Sequence, residues 1–276
     1  MHIARTPGEV RSALAGLPRP LAFVPTMGAL HAGHAALIDV AKSRAAAVAV
    51  SIFVNPLQFG PHDDFDRYPR AFEADCHNLR ARGVALLYAP SPQTMYPPGF
   101  SMHLEAGPIG TIFEGARRPS HFNGVATVMT KLLNIMAPEC FVMGQKDAQQ
   151  VAMLRHMLSD FDAPFEMVVV PTVREADGLA LSSRNAYLSS EDRAAAATLH
   201  AALETIAHGI ASGERSSGAA IERGRRVIDP RLSEDYLAVV DPLTFRELAG
   251  PAPGALVIGA VRAGTTHLID NVAVAF

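Results

Sequence analysis

The sequence predicts an α/β fold, a Rossmann-like doubly wound parallel sheet followed by a smaller α+β domain. Three observations predict it. Short apolar or β-branched runs alternate with helix-patterned segments, those runs end in Gly, Asn-Pro or Gly-x-Lys turns, and past residue 177 the alternation gives way to grouped helices and then grouped strands.

Taken in order, residues 21–24 read as a strand that runs into a Gly-punctuated turn and a helix over 35–47. A second strand over 47–54 ends at Asn55-Pro56, a helix over 72–82 leads into a strand over 84–88, and residues 140–143 form a fourth strand that delivers Gly144. An amphipathic helix over 149–161 and a fifth strand over 165–170 complete the alternation. A sheet of this kind is covered on both faces and binds ligands at the carboxyl ends of its strands. Beyond a polar stretch after Arg174 come an Ala-rich helix over 194–211, a second helix over 219–228, and strands over 236–240, 256–261 and 267–274. The expected division is therefore residues 1–177 and 178–276, with a hinge near Asp177, and 212–218 is a loop.

Composition narrows the function classes. A chain of 276 residues with 49% apolar residues can bury a sizeable core, and its formal charge of −3 comes with no long basic block, so nucleic acid is not an expected partner. The cluster Arg223, Arg225 and Arg226 reads as a solvated helix face. Two cysteines, Cys76 and Cys140, are too few for a disulfide framework or a zinc motif and are read as inert thiols in a reducing compartment. The first twenty residues have no continuous apolar segment and no run approaches the roughly 18 apolar residues of a membrane span, so neither a leader nor a membrane is expected, and the expected location is cytoplasmic.

His31 and His34 stand at the first strand-to-helix junction, three residues apart. If the helix begins near His31, both imidazoles share its first turn, where unpaired N–H groups and the positive end of the helix dipole attract anions. Gly28 and Gly33 would let a ligand approach the backbone. The same pair could instead belong to a metal site, although no third ligand is evident, or be ordinary polar residues of a surface turn.

Five motifs decide among these readings: PTMGALHAGH from Pro25, SIFVNPLQFG from Ser51, RRPSHFNGVATVMTKLLNI from Arg117, GQKDAQQ from Gly144 and LSSRNAYLS from Leu181. HAGH is similar to the HxGH signature of nucleotidyltransferases that split a nucleoside triphosphate at the α-phosphate. Together, and in this order, the five resemble the pantothenate synthetase family. The resemblance is dense from Pro25 to Ser189 and thinner in the carboxy-terminal third.

The resemblance implies an enzyme that adenylates pantoate with ATP and Mg²⁺, releases pyrophosphate, and lets β-alanine displace AMP. It implies catalytic roles for His34, His31 and Lys146. It implies an ATP site made of Met27, Gly28, Ala29, Leu30, His31, Ala32, Gly33 and His34, of Gly144, Gln145, Lys146 and Asp147, and of Val173, Leu181, Ser182, Ser183 and Arg184. Gln58 and Gln150 match pantoate-binding positions, and Gln58 also lies near the β-alanine position; Asn55, at the tip of the second strand beside Gln58, is read as a pantoate-binding residue that helps orient the hydroxyls. A homodimer and a covering carboxy-terminal lid are implied as well. Metal ligands are not assigned.

The residue types fit that chemistry. A carboxylate attacking a phosphate needs donors for growing negative charge and no protein nucleophile. Lys146 offers an ammonium, the Ser-Ser-Arg run offers hydroxyls and a guanidinium, and glutamines both donate and accept beside hydroxyls. Asp147 can meet ribose or Mg²⁺-bound water. Met27 and Phe59 are candidate apolar walls, Arg117, Arg118, His121 and Phe122 are candidates for the entrance, and the 62–64 His-Asp-Asp run reads as a polar loop. Gln145, Ala148 and Leu181 depart from the family's usual Glu, aromatic and Met. Two other classes stay open, a transferase that leaves a nucleotidyl group on its substrate and a nucleotide-binding module without catalysis.

Overall fold

The first six strands pair in parallel throughout. In this computed structural model, which describes residues 1–61, 63–250 and 252–275, they are β1 (His2–Ala4), β2 (Leu21–Thr26), β3 (Ala47–Ile52), β4 (Leu86–Tyr88), β5 (Cys140–Gly144) and β6 (Glu166–Val170). Their order is β1-β4-β3-β2-β5-β6. Connections come from α1 (Pro7–Leu14), α2 (Ala32–Arg44), α3 (Phe72–Ala81), α4 (Pro92–Met95), α5 (Glu114–Arg117), α6 (His121–Met136) and α7 (Ala148–Asp160). Near-continuous burial along β2 and β3 is what a sheet covered on both faces requires.

The chain runs outward from β2 through β3 to β4 and later resumes on the other side of β2 at β5. The carboxyl ends of β2 and β5 therefore flank the point where the strand order reverses, the place where open α/β sheets bind ligands. Thr26 and Gly144 end those two strands.

Several elements depart from the sequence reading, among them β1 and α1, α4, α5 and α6. The sheet has a sixth strand, β1, whose three residues pair with β4 and are too few to show any periodicity. Helix α6 is not among the expected helices, although buried Phe122, Val125, Met129, Leu132, Leu133 and Met136 recur at helical spacing, because Gly124 and β-branched neighbours lower its intrinsic propensity. Helix α2 also begins at Ala32 and ends at Arg44, earlier than expected at both ends.

The chain forms two compact units, one of 1–144 with 153–170 and the other of 145–152 with 171–276. In the first, Ala22, Val24, Val50, Leu87 and Val142 form the centre of an apolar cluster. Cys76 and Cys140 are buried there, and burial pushes both thiols up from their ordinary value.

The second unit carries an antiparallel sheet in the order β7 (Ser233–Val240), β8 (Leu256–Ala263) and β9 (Thr266–Ala273). Helices α8 (Ser190–Ala211) and α9 (Ser217–Arg225) belong to it, and Leu199, Leu203 and Ile206 of α8 pack with Leu237, Val257 and Leu268 of the sheet. The Ser189 hydroxyl caps α8 by accepting from the Asp192 N–H. Before α8 lies a short hairpin, in which Arg174 bridges Ala180 and the Asp177 carboxylate pairs with Arg193 at 2.9 Å. Among the described residues no helix is long and apolar enough to cross a membrane.

Candidate functional site

The turn after β2 is shaped by a buried carboxylate. Gly28 (φ 84°) and Ala29 (φ 51°) both adopt the left-handed region, which bends the chain away from the sheet before α2 starts. A Cβ on Gly28 would lie 3.0 Å from Ile52 and 3.2 Å from Asp75, so the turn needs glycine there on both counts. Asp75, only 2% exposed on α3, accepts from the Ala29 N–H at 2.9 Å and from the Leu30 N–H at 2.8 Å. The sequence reading missed Asp75, because an acidic residue inside a helix pattern looks like an ordinary solvated one.

His31 is the N-cap of α2 and not part of its first turn. Its backbone is extended (φ −129°, ψ −179°), its Nδ1 accepts from the Gly33 N–H at 3.1 Å, and His34, three residues on, accepts from the His31 N–H through its own Nδ1 at 3.3 Å. The two imidazoles thus form a capping box, a role usually filled by Ser or Thr and Glu. Their ring centroids are 4.2 Å apart. A backbone N–H can only donate, so each Nδ1 must be unprotonated, and the neutral ring carries its proton on Nε2. The amides of Ala29, Leu30 and Gly33 are thereby engaged by protein side chains, so of the expected first-turn N–H groups that of Gly33 is already paired, and the neutral imidazoles carry Nε2–H donors beside them.

Met27, Asn55 and Gln58 come together in the same unit. The Asn55 Nδ2 donates to the Gln58 Oε1 at 3.0 Å and to the Gly124 carbonyl at 3.1 Å, and the Gln58 Nε2 reaches the Met27 sulfur at 3.3 Å. Asn55, 1% exposed, also caps the turn Pro56–Gln58 by accepting from the Leu57 N–H, and it accepts from the Tyr96 hydroxyl at 2.7 Å. Burial pushes the Tyr96 phenol well above its ordinary value, so it stays a donor. Gly124 of α6 allows this arrangement, since a Cβ there would collide with the Leu57 carbonyl and lie 2.6 Å from the Gln58 nitrogen. Tyr96 and Gly124 carried no signal beyond a lone aromatic and a glycine in a motif.

Of the entrance candidates, Arg118 and His121 fasten to Gln58: the Arg118 Nη2 donates to the Gln58 carbonyl at 3.2 Å and the His121 Nδ1 lies 2.8 Å from it. Arg118 also pairs with Asp63 at 2.9 Å. Burial opposes the Asp63 charge, but the Gly60 N–H and the Arg118 guanidinium together hold its carboxyl below the usual carboxylate range. His62 lies outside the described residues. Phe59 stacks edge-on with Phe65 and Tyr68, at 5.3 and 5.9 Å.

Gly144 ends β5, and the second unit holds the rest of the candidates. Gln145, Lys146 and Asp147 form a single 3₁₀ turn leading into α7, which carries Gln150. Lys146 is 22% exposed, with its Nζ 3.8 Å from Asp147. The Val173 carbonyl accepts from the Leu181 N–H at 3.0 Å, across the hairpin. Ser182 caps the turn Ser183–Tyr187 by accepting from the Arg184 N–H. Lys146, Ser182, Ala180, His200 and Asp270 line one small cavity. Burial and the nearby Arg174 lower the His200 pKa, against the pull of Asp270 and Glu204.

A family model described as pantoate-beta-alanine ligase matches residues 2–273. Pantothenate synthetase from Chloroflexus aurantiacus is 50% identical over 98% of this chain and 97% of its own length, and that from Acidothermus cellulolyticus is 49% identical over 98% and 90%. The crystal structure of pantothenate synthetase from Thermus thermophilus has a TM-score of 0.95 at 44% identity, covering 99% of both chains. Pantoate-beta-alanine ligase from Francisella tularensis, solved with beta-gamma ATP and beta-alanine, has a TM-score of 0.82 at 34% identity over 99% of this chain and 97% of its own. With the family model spanning nearly the whole sequence and relatives matching at about half identity over at least 90% of their own length, this chain belongs to the pantoate-beta-alanine ligase family.

Proposed function

We propose that the protein joins pantoate to β-alanine through a pantoyl-adenylate, consuming ATP and producing pantothenate, AMP and pyrophosphate. The observation that carries the reading is the family match over 2–273, and the residue roles assigned below belong to the same proposal.

One carboxylate oxygen of pantoate attacks the α-phosphorus, and the bond from that phosphorus to the pyrophosphate oxygen breaks. Charge grows on the phosphoryl and leaving oxygens. The Nε2–H groups of His31 and His34 donate to it, and because each ring is fixed by a backbone hydrogen bond, little reorganisation is needed as charge develops. Lys146 adds a full positive charge from the 145–147 turn, and the Ser182, Ser183 and Arg184 run binds the remaining phosphate oxygens. Gly144, Gln145, Leu181 and the Val173 backbone complete the nucleotide contacts. Mg²⁺ enters with the nucleotide as part of the substrate, and Asp147 would meet it through water.

Gln58, Gln150 and Asn55 orient the hydroxyls and carboxylate of pantoate, with Met27 as apolar wall and Gln58 also serving β-alanine. In the second step the β-alanine amine attacks the acyl carbon, the carbon–oxygen bond to phosphate breaks, and AMP leaves. The mixed anhydride is prone to hydrolysis. Residues 1–177 are assigned the pantoate site and most nucleotide contacts, and 178–276, besides the 181–184 run, the exclusion of water during this interval. A cytoplasmic homodimer completes the proposal.

The test is product formation with each substrate omitted in turn, followed by pantoate labelled with ¹⁸O in its carboxylate. AMP formed only with all three substrates, and carrying one ¹⁸O, supports the reading. A stable nucleotidyl product, or label in inorganic phosphate beside ADP, removes it.

A further inference from the structure

The turn that carries Lys146 is one 3₁₀ turn, Gln145–Asp147, and three residues make too few internal hydrogen bonds to hold a backbone still. Its support comes from a side chain 125 residues away. The Asn271 Nδ2 donates to the Lys146 carbonyl at 3.1 Å and to the Gln145 carbonyl at 2.9 Å, while its Oδ1 accepts from the Gln145 Nε2 at 3.3 Å. One carboxamide thus grips two successive carbonyls and one side chain of the turn. Two carbonyl oxygens can only accept, so the amide group must face them, and the assignment of its nitrogen and oxygen is fixed.

Asn271 is itself held. It is 4% exposed on β9, in register with Ile258 of β8. Its N–H donates to the Asp270 carboxylate at 2.7 Å and its carbonyl accepts from Arg174 at 3.2 Å. Arg174 forks the buried Asp270 with contacts of 2.6 and 3.0 Å and donates to the Gly178 carbonyl at 3.1 Å. All of these residues lie in one compact unit. A hydrogen-bonded chain centred on the buried Asp270 and Asn271 therefore runs from the hairpin through the sheet to the turn, which is how a mobile lysine acquires a fixed root.

We infer that Asn271 is a positioning residue for adenylation, which acts through Lys146 by fixing the backbone from which the ammonium reaches phosphate. The inference rests on the reading that Lys146 serves the triphosphate. A small displacement of a charge from its place in the transition state is enough to lose about 10²-fold in rate. Arg174 and Asp270 act one step further back, on Asn271 itself.

The experiment is single-turnover pyrophosphate release by the full chain carrying Asn271→Ala, Asn271→Asp, Lys146→Ala, and Asn271→Ala with Lys146→Ala. Asn271→Asp keeps the shape of the side chain and turns an oxygen toward the two carbonyls. The expected result is a loss of about 10- to 100-fold in both single Asn271 variants, with the ATP concentration dependence changed far less than the rate and with melting lowered but still above the assay temperature. In the Lys146→Ala background the Asn271 substitution should then cost less than about twofold, because the group it positions is gone. A full additional loss in that background, normal rates in both Asn271 variants beside an impaired Lys146→Ala, or failure of both variants to fold would each overturn the inference. An unimpaired Lys146→Ala would instead remove the phosphate reading on which the inference depends, so the two failures are distinct.

Discussion

His31 and His34 cap each other's stretch of backbone: the Nδ1 of His31 takes the Gly33 N–H and the Nδ1 of His34 takes the His31 N–H. A structural job for one nitrogen sets the chemistry of the other. Replacing His31 by Asn should separate the two roles, since Asn is a good N-cap but lacks the distal N–H. Melting should stay within a few degrees of the parent, while adenylation falls about 10²- to 10³-fold. His31→Ala should lose the same rate and, in addition, about 1 kcal/mol of stability by denaturant titration. Equal melting of the two variants would show that the cap is not worth what the geometry implies.

Asp75 is predicted to matter without touching substrate. Asp75→Ala leaves the Ala29 and Leu30 N–H groups without the carboxylate they donate to in a buried turn, at a cost of about 1–3 kcal/mol each. The variant should melt well below the parent, and the rate should fall because the turn ahead of His31 is released. Calorimetry beside the pyrophosphate assay checks both, and parent-like values in each would remove the role.

Gln58→Ala should raise the pantoate KM far more than the ATP KM, because its carboxamide sits in the Asn55–Met27 cluster and not at the helix cap. Equal losses would contradict the assignment. Gly124→Ala tests the same cluster from behind: a Cβ driven into the Leu57 carbonyl forces α6 and the 56–58 turn apart. The expected cost is about 1–3 kcal/mol, with weakened pantoate binding in whatever folds.

His200 predicts a pH dependence. Its folded pKa lies below the ordinary value of 6.5, chiefly through burial and then through Arg174, with Asp270 and Glu204 opposing. In the window below 6.5 the unfolded chain binds more protons at this site than the folded one, so the contribution is fully present above that pH and is lost as pH falls through the lowered folded value. His200→Gln should therefore flatten the decline in melting temperature between about pH 7 and pH 5. A wild-type profile steeper on the alkaline side, or one unchanged by the substitution, would contradict this.

Much of the architecture was legible because periodicity and turn chemistry act locally. The runs over 21–24, 47–54 and 140–143 announced parallel strands, which in the structure end at Thr26, Ile52 and Gly144, and the grouped strands after residue 177 announced a separate sheet. β1 stayed hidden because three residues acquire strand character only from the backbone of β4. At the candidate site the split is similar. His31, His34, Asn55 and Lys146 stand in motifs whose residue types name their chemistry. Asp75 and Asn271 do not, because what they do depends on amides and carbonyls 45 and 125 residues away, which no local pattern records.

The central claim is that the two Nε2–H groups at the start of α2 meet the phosphates of ATP during attack by the organic acid. A crystal structure of this protein with a non-hydrolysable ATP analogue tests it most directly. Phosphate oxygens within hydrogen-bond distance of the His31 and His34 Nε2 atoms are the predicted result. A triphosphate bound away from both rings would contradict it.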